Sequence, residues 1–197
     1  LRALAHPRQP DERIAGWVGE GAARLVERAL TCAAGREATV GERREGLELF
    51  YRFYAERVCR RSRPYPGARA VLAALRRAGI PAACVTNKPE RHTRLLLDAL
   101  ELSAWLDVVV GGDTLDRKKP DPAPVVHACR VLGVAPENAV YIGDSLTDCE
   151  AARAAGAPMV LVSYGYHRGA DLTRAPCAAM IHTLDVLPGV LSLTTSA

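Results

Sequence analysis

Tyr141-Ile142-Gly143-Asp144-Ser145-Leu146-Thr147-Asp148 sets two carboxylates four residues apart, where an apolar run ends and a helical pattern begins. Asp144 closes the expected strand and Asp148 lies one turn into the helix, a spacing that lets both side chains face one crevice. Hard oxygen donors so arranged suit magnesium (Mg2+), which takes one or two protein carboxylates and completes its shell with water and phosphate. The same residues also read as a helix cap with a favourable acid in the first turn. Gly143 and the buried run leading in favour the metal-site reading. In Ala83-Cys84-Val85-Thr86-Asn87-Lys88-Pro89, Thr86 ends a second apolar run and the amides beyond it open a helix, an arrangement suited to phosphate. Asp116-Arg117-Lys118-Lys119-Pro120-Asp121-Pro122 is a basic loop braced by prolines. A lysine held there can neutralise phosphoryl oxygens and neighbouring carboxylates. Taken singly, these are a helix cap, a strand exit and a solvated turn. Their conjunction, each group on its own structural unit, points to a phosphate and metal site.

Such groups act together only on a scaffold that gathers strand ends. After Pro64-Tyr65-Pro66-Gly67 a helix-then-strand unit recurs. Its helical faces carry Val71, Leu72 and Leu75, then Leu95, Leu96 and Leu100, then Val125, Val126 and Cys129, and finally the stretch opening at Ser145 or Leu146. Gly79, Gly133 and Gly156 act as stops, and Pro89 suits a first helical position. The apolar runs are 80–86, 105–111, 139–142 and 158–162. Helices alternating with short continuous apolar strands predict an α/β fold with a parallel sheet covered on both faces. Ligands then lie beyond the carboxyl ends of the strands. Residues 1–63 show only helical patterning, with Leu25, Val26, Ala29 and Leu30 on one face and Leu47, Phe50, Tyr51 and Tyr54 on another. We expect a helical cap over 1–63 and a sheet domain over 64–197.

Bulk properties exclude several classes. The net charge is +4 over 197 residues, with arginines scattered among acids, so nucleic acid is not an expected partner. No apolar stretch approaches the ~18 residues that span a bilayer. The six cysteines lie far apart with no zinc spacing and suit buried or inert thiols in a reducing cytoplasm. His6, His92, His127, His167 and His182 show no ligand spacing and read as surface or packing residues. Trp17 suits either a cap-loop contact or the cap core.

The motifs V-T-N-K-P, K-K-P-D-P and I-G-D-S-x-x-D resemble the second, third and fourth motifs of the haloacid dehalogenase superfamily. Gly16-Trp17-Val18-Gly19-Glu20-Gly21, Gly111-Gly112-Asp113 and Ser163-Tyr164-Gly165-Tyr166 are similar to the phosphoglycolate phosphatase branch. The resemblance implies a Rossmannoid core with a helical cap. Thr86 would bind the transferring phosphoryl group with the backbone at Asn87, and Lys119, which directly precedes Pro120, would be the family lysine in place of Lys118. Asp144 would bind Mg2+, Asp148 would support the ion or its water shell, and Gly19 and Glu20 would lie in the loop that closes over the substrate. The implied activity is magnesium-dependent hydrolysis of a small phosphorylated metabolite, foremost 2-phosphoglycolate to glycolate and phosphate. A sugar-phosphate mutase or phosphonate hydrolase would share this core, and a catalytically incompetent phosphate- or protein-binding module is the non-catalytic alternative. The family opens on D-x-D-G-T, whose first aspartate is the nucleophile, and residues 1–63 contain no match. The expectation is therefore a truncated chain, with a cap incomplete at its start and a core lacking its first central strand.

Overall fold

The computed structural model describes residues 1–165, 171–172 and 175–191. Tyr166 and His167 lie outside the described residues. The first part of the chain is helical: α1 (Asp11–Ala15), α2 (Ala22–Ala34) and α3 (Val40–Ala55). Helix α2 buries Val26 and Leu30 and stops at Gly35, whose φ of 67° only glycine adopts without strain. Thr39 and Glu42 close a capping box at the start of α3, each satisfying a backbone N–H at the helix end. The two helices pack closely because Gly46 presents no side chain at the contact. A Cβ there would sit 2.9 Å from Leu30 Cδ1 and 3.0 Å from Val26 Cγ1.

The remainder alternates helix and strand: α4 (Ala68–Arg77), β1 (Ala83–Val85), α5 (Glu90–Ala99), β2 (Val108–Val110), α6 (Ala123–Leu132), β3 (Tyr141–Gly143), α7 (Leu146–Ala155) and β4 (Met159–Val162). A further strand, β5 (Ala179–Ile181), and a short helix, α8 (Leu187–Val190), follow. Every strand pair is parallel, as the pattern of helix and apolar run predicts. The helices after residue 64 lie where the apolar patterning expects them, but Leu95 and Val126 of the expected faces are exposed, and α5 instead buries His92, Thr93 and Leu97. Gly133 and Gly156 end α6 and α7 in the left-handed conformation. Pro89 stands one residue outside α5 rather than as its first residue. The strands are three or four residues long, shorter than the apolar runs, and β3 reaches one residue past its run to Gly143.

Strand β4 shows why the core is covered twice. Val160 and Val162 pack with Val71 and Leu75 of α4, whereas Met159 and Leu161 pack with Cys149 and Ala152 of α7. Side chains alternate faces along a strand, so four consecutive apolar residues need a helix on each side. The strands form two sheets, β1 with β2 and β3–β4–β5, instead of one continuous ladder. Between them, the Lys119 ammonium and the Tyr141 hydroxyl both donate to the Val85 carbonyl, at 2.9 and 3.3 Å. Side chains thus satisfy a strand-end acceptor that a neighbouring strand would otherwise take. No helix among the described residues is long and apolar enough to cross a membrane.

Candidate active site

Three loops beyond strand ends meet beneath the helices of the first part of the chain, around a cleft of about 460 Å3. Thr86, Asn87, Lys119, Asp144 and Asp148 line it from below, with Val18, Gly19, Phe50, Tyr51 and Tyr54 above.

The loop after β1 is held by the loop after β2. Asp113 Oδ1 accepts from the Glu90 amide at 2.7 Å, supplying from elsewhere in the chain the cap that α5 lacks locally. The Gly112 amide donates to the Lys88 carbonyl at 2.8 Å, and a Cβ on Gly112 would overlap the Asn87 carbonyl. Gly111-Gly112-Asp113 is therefore a cradle for residues 87–90. Within it, Thr86 Oγ1 accepts from the Lys88 amide at 3.2 Å.

Asn87 joins the two halves of the cleft. Its Nδ2 donates to the Gly19 carbonyl at 3.3 Å and the Lys119 carbonyl at 2.9 Å. Two carbonyl acceptors settle which end of the amide is nitrogen, and the remaining Oδ1 is buried with no protein donor among the described residues.

The adjacent lysines diverge. Lys119 Nζ, with its side chain 10% exposed, donates to Asp148 Oδ1 at 2.7 Å, Tyr141 OH at 2.8 Å and the Val85 carbonyl at 2.9 Å. All three ammonium protons are thus engaged. Lys118 Nζ instead reaches the Glu20 carbonyl at 2.8 Å, fastening the loop before α2 to the loop after β2. The Lys119–Pro120 peptide is cis.

Asp148 is 5% exposed, and both of its oxygens are occupied. Oδ2 accepts from Ser145 Oγ at 2.7 Å and from the Asp144 and Ser145 amides at 3.2 Å each. Ser145 and Asp148 form a capping box, as the helix-cap reading of this motif expects. Burial pushes the Asp148 carboxyl up, but the Lys119 ammonium and the Ser145 and Asp144 donors outweigh it and hold the group below the usual carboxylate range. Burial first, and the Asp148 charge second, push the Tyr141 phenol well above its ordinary value, so it stays protonated. Gly143 lets this knot close, since a Cβ there would meet Asp148 Cγ at 2.7 Å. Gly165 passes directly against the Asp144 carboxylate.

Of the residues singled out in the sequence, Thr86, Asn87, Lys119, Asp144, Asp148 and Gly19 come together around the cleft. Glu20 does not: its carboxylate turns to Arg28 at 3.0 Å, and only its carbonyl faces the core, as the acceptor for Lys118. Trp17 is also absent from the lining. Two participants escaped the sequence reading, Tyr141 and Lys88, whereas His92, read as a surface or packing residue, does pack. Tyr141 lay in plain view two residues before Gly143, but as part of a buried strand it read only as apolar filling. His92 is buried between Tyr51, stacked at 4.6 Å, and Tyr54, edge-on at 5.4 Å.

The arrangement offers a positive charge, a hydroxyl and helix-opening amides facing two carboxylates. It can hold a phosphoryl group against a hard cation. The model of the haloacid dehalogenase-like hydrolase family matches residues 1–156. The chain is 41% identical to a phosphoglycolate phosphatase from Nitrosospira multiformis over 93% of its length and 81% of that protein. It is 38% identical to a phosphoglycolate phosphatase from Nitrosococcus oceani over 98% of its length and 85% of that protein. Among solved structures, a predicted phosphoglycolate phosphatase from Haemophilus somnus superposes with a TM-score of 0.88 at 29% identity, covering 97% of this chain and 86% of that one.

Proposed function

Since the chain belongs to the haloacid dehalogenase-like hydrolase family and is a phosphoric monoester hydrolase, we propose that it releases phosphate from a small phosphomonoester, 2-phosphoglycolate, with Mg2+ at Asp144 and Asp148. The reading places the enzyme in the cytoplasm, with residues 1–63 acting as a cap over residues 64–197. The observation that carries it is the joining of Thr86, Lys119 and the two carboxylates in one capped cleft.

The residues fit a magnesium ion in a definite way. Both Asp148 oxygens are already engaged by Lys119, Ser145 and the backbone, so Asp148 serves as orienting charge and Asp144 as the direct donor. When bound, the ion supplies charge neutralisation at the phosphoryl oxygens.

The chain's own residues do the rest. Thr86 Oγ1, accepting from the Lys88 amide, keeps its proton for a phosphoryl oxygen. Lys119, held by Asp148, Tyr141 and Val85, presents its charge without side-chain freedom to lose. Asn87, bonded to both the cap loop and the Lys119 carbonyl, ties closure of the cap to the position of the lysine. The attacking carboxylate of this reading belongs to a D-x-D-G-T motif, which residues 1–63 do not contain.

The test is phosphate release by the native protein from 2-phosphoglycolate and a panel of small phosphomonoesters, with magnesium and after its chelation. Release from 2-phosphoglycolate that stops on chelation is expected. No release from any panel member with magnesium present would overturn the reading.

A further inference from the structure

We propose that Lys88 selects substrates bearing a second anionic group, a carboxylate close to the phosphoryl end, and that Tyr54 of α3 positions the Lys88 ammonium for it. The inference rests on the phosphomonoester reading and adds what decides between substrates.

Lys88 Nζ donates to the Tyr54 hydroxyl and lies 4.5 Å from the centroid of that ring. Both partners are neutral. No carboxylate among the described residues lies within ion-pair distance of Lys88, whereas Lys119, across the same cleft, is paired with Asp148. The two lysines therefore differ in kind. The charge of Lys119 is matched inside the protein, and that of Lys88 is oriented by an aromatic ring and left for an external anion.

Position supports the same conclusion. Thr86, Asn87 and Lys88 are consecutive lining residues, so the Cα atoms of Thr86 and Lys88 are less than about 7.6 Å apart. A phosphoryl group at Thr86 and an acid at Lys88 share one cleft, so a single small molecule can carry both. The wall around Lys88 is Phe50, Tyr51, Tyr54 and His92, with Phe50 stacked on Tyr54 at 5.8 Å and Tyr51 on His92 at 4.6 Å. An aromatic wall keeps competing water from the ammonium and strengthens its attraction for a carboxylate.

The contribution also has a conformational side. Lys88 stands on the core and Tyr54 on the cap, 34 residues apart in sequence. The selecting charge is assembled only when cap and core are together, so the acid is sensed in the closed arrangement.

Steady-state hydrolysis of 2-phosphoglycolate and of ethyl phosphate, with magnesium, tests this in the wild type and in Lys88→Met, Lys88→Arg and Tyr54→Phe. The quantity read is the ratio of kcat/KM between the two substrates. Loss of one charge-assisted hydrogen bond should lower that ratio roughly 10- to 100-fold in Lys88→Met. Lys88→Arg should retain most of the ratio, and Tyr54→Phe should lower it by a smaller factor. Tyr54→Phe removes one hydroxyl and keeps the ring, so it decides the matter if Lys88→Met does not fold. A wild-type ratio near one, or a ratio unaltered in both Lys88→Met and Tyr54→Phe, would overturn the proposal while leaving the phosphate site standing. A wild type that hydrolyses neither would overturn the phosphomonoester reading itself, and the proposal with it.

Discussion

Asp148 carries two tasks that are usually separate, closing the first turn of α7 and balancing the charge of Lys119. Both groups are nearly sealed from water, and Asp148 stays charged because the Lys119 ammonium and the Ser145 and Asp144 donors outweigh its burial. Replacing Lys119 by Met strands a buried carboxylate, and a loss of about 3–5 kcal/mol in urea unfolding is expected. Pairing that change with Asp148→Asn should recover part of the loss, since the orphaned charge is gone; the double-mutant cycle measures how much. Gly143→Ala is a milder probe of the same knot. Its methyl would meet Asp148 Cβ at 2.6 Å and Cγ at 2.7 Å, and the carboxylate is too tightly tied to yield cheaply. A loss of stability of about 1–3 kcal/mol is expected in that variant, accompanied by weaker phosphate binding.

Helices α3 and α5 meet through rings rather than charges. His92 on α5 is enclosed by Tyr51 and Tyr54 on α3, and its Nδ1 is buried without a partner among the described residues. Burial pushes the imidazole below its ordinary value, with smaller opposing and reinforcing contributions from its neighbours. The unfolded chain therefore takes up a proton where the folded one does not. The stability that depends on neutral His92 is fully present above the unfolded value of about 6.5 and is lost as pH falls through the depressed folded value. The melting midpoint should decline from about pH 7.5 to about pH 5, and His92→Phe, which keeps the stacking and cannot titrate, should flatten that decline.

Across the whole molecule, the first part of the chain is joined to the rest by polar threads: Asn87 to Gly19, Lys118 to Glu20 and Lys88 to Tyr54. Each runs from a core loop to the first part of the chain, and together they surround the cleft. A ligand that binds only the assembled cleft stabilises the fold by mass action, about 2.7 kcal/mol at a concentration of 100 times its Kd. Magnesium and phosphate together should therefore raise the melting midpoint. Asp144→Asn should abolish the magnesium-dependent part and retain some of the rise due to phosphate alone. An equal rise in wild type and Asp144→Asn, followed by scanning fluorimetry, would place the ion elsewhere.

The alternation of helices and apolar runs after residue 64 was legible because it follows from local rules. Apolar spacing selects the helical face, Gly133 and Gly156 can adopt the left-handed stop, and a strand buried on both sides must be continuously apolar. The same rules placed Thr86, Lys119, Asp144 and Asp148 at strand ends or in the loops beyond them, where a parallel sheet gathers its functional groups. Strand β5 (Ala179–Ile181) escaped because no helical pattern marks its approach, in contrast to the equally short β1, β2 and β3. Partner choice was beyond local reading altogether. That Lys119 turns to Asp148 while Lys118 turns to the cap, that Glu20 faces Arg28 and that Lys88 meets Tyr54 depend on how two sheets and a helical layer are set against one another. Spacing along the chain determines which way a residue faces within its own element, whereas the side chain opposite it is contributed by another element. Only the packing of those elements decides which charges are matched inside the protein and which are left for a ligand.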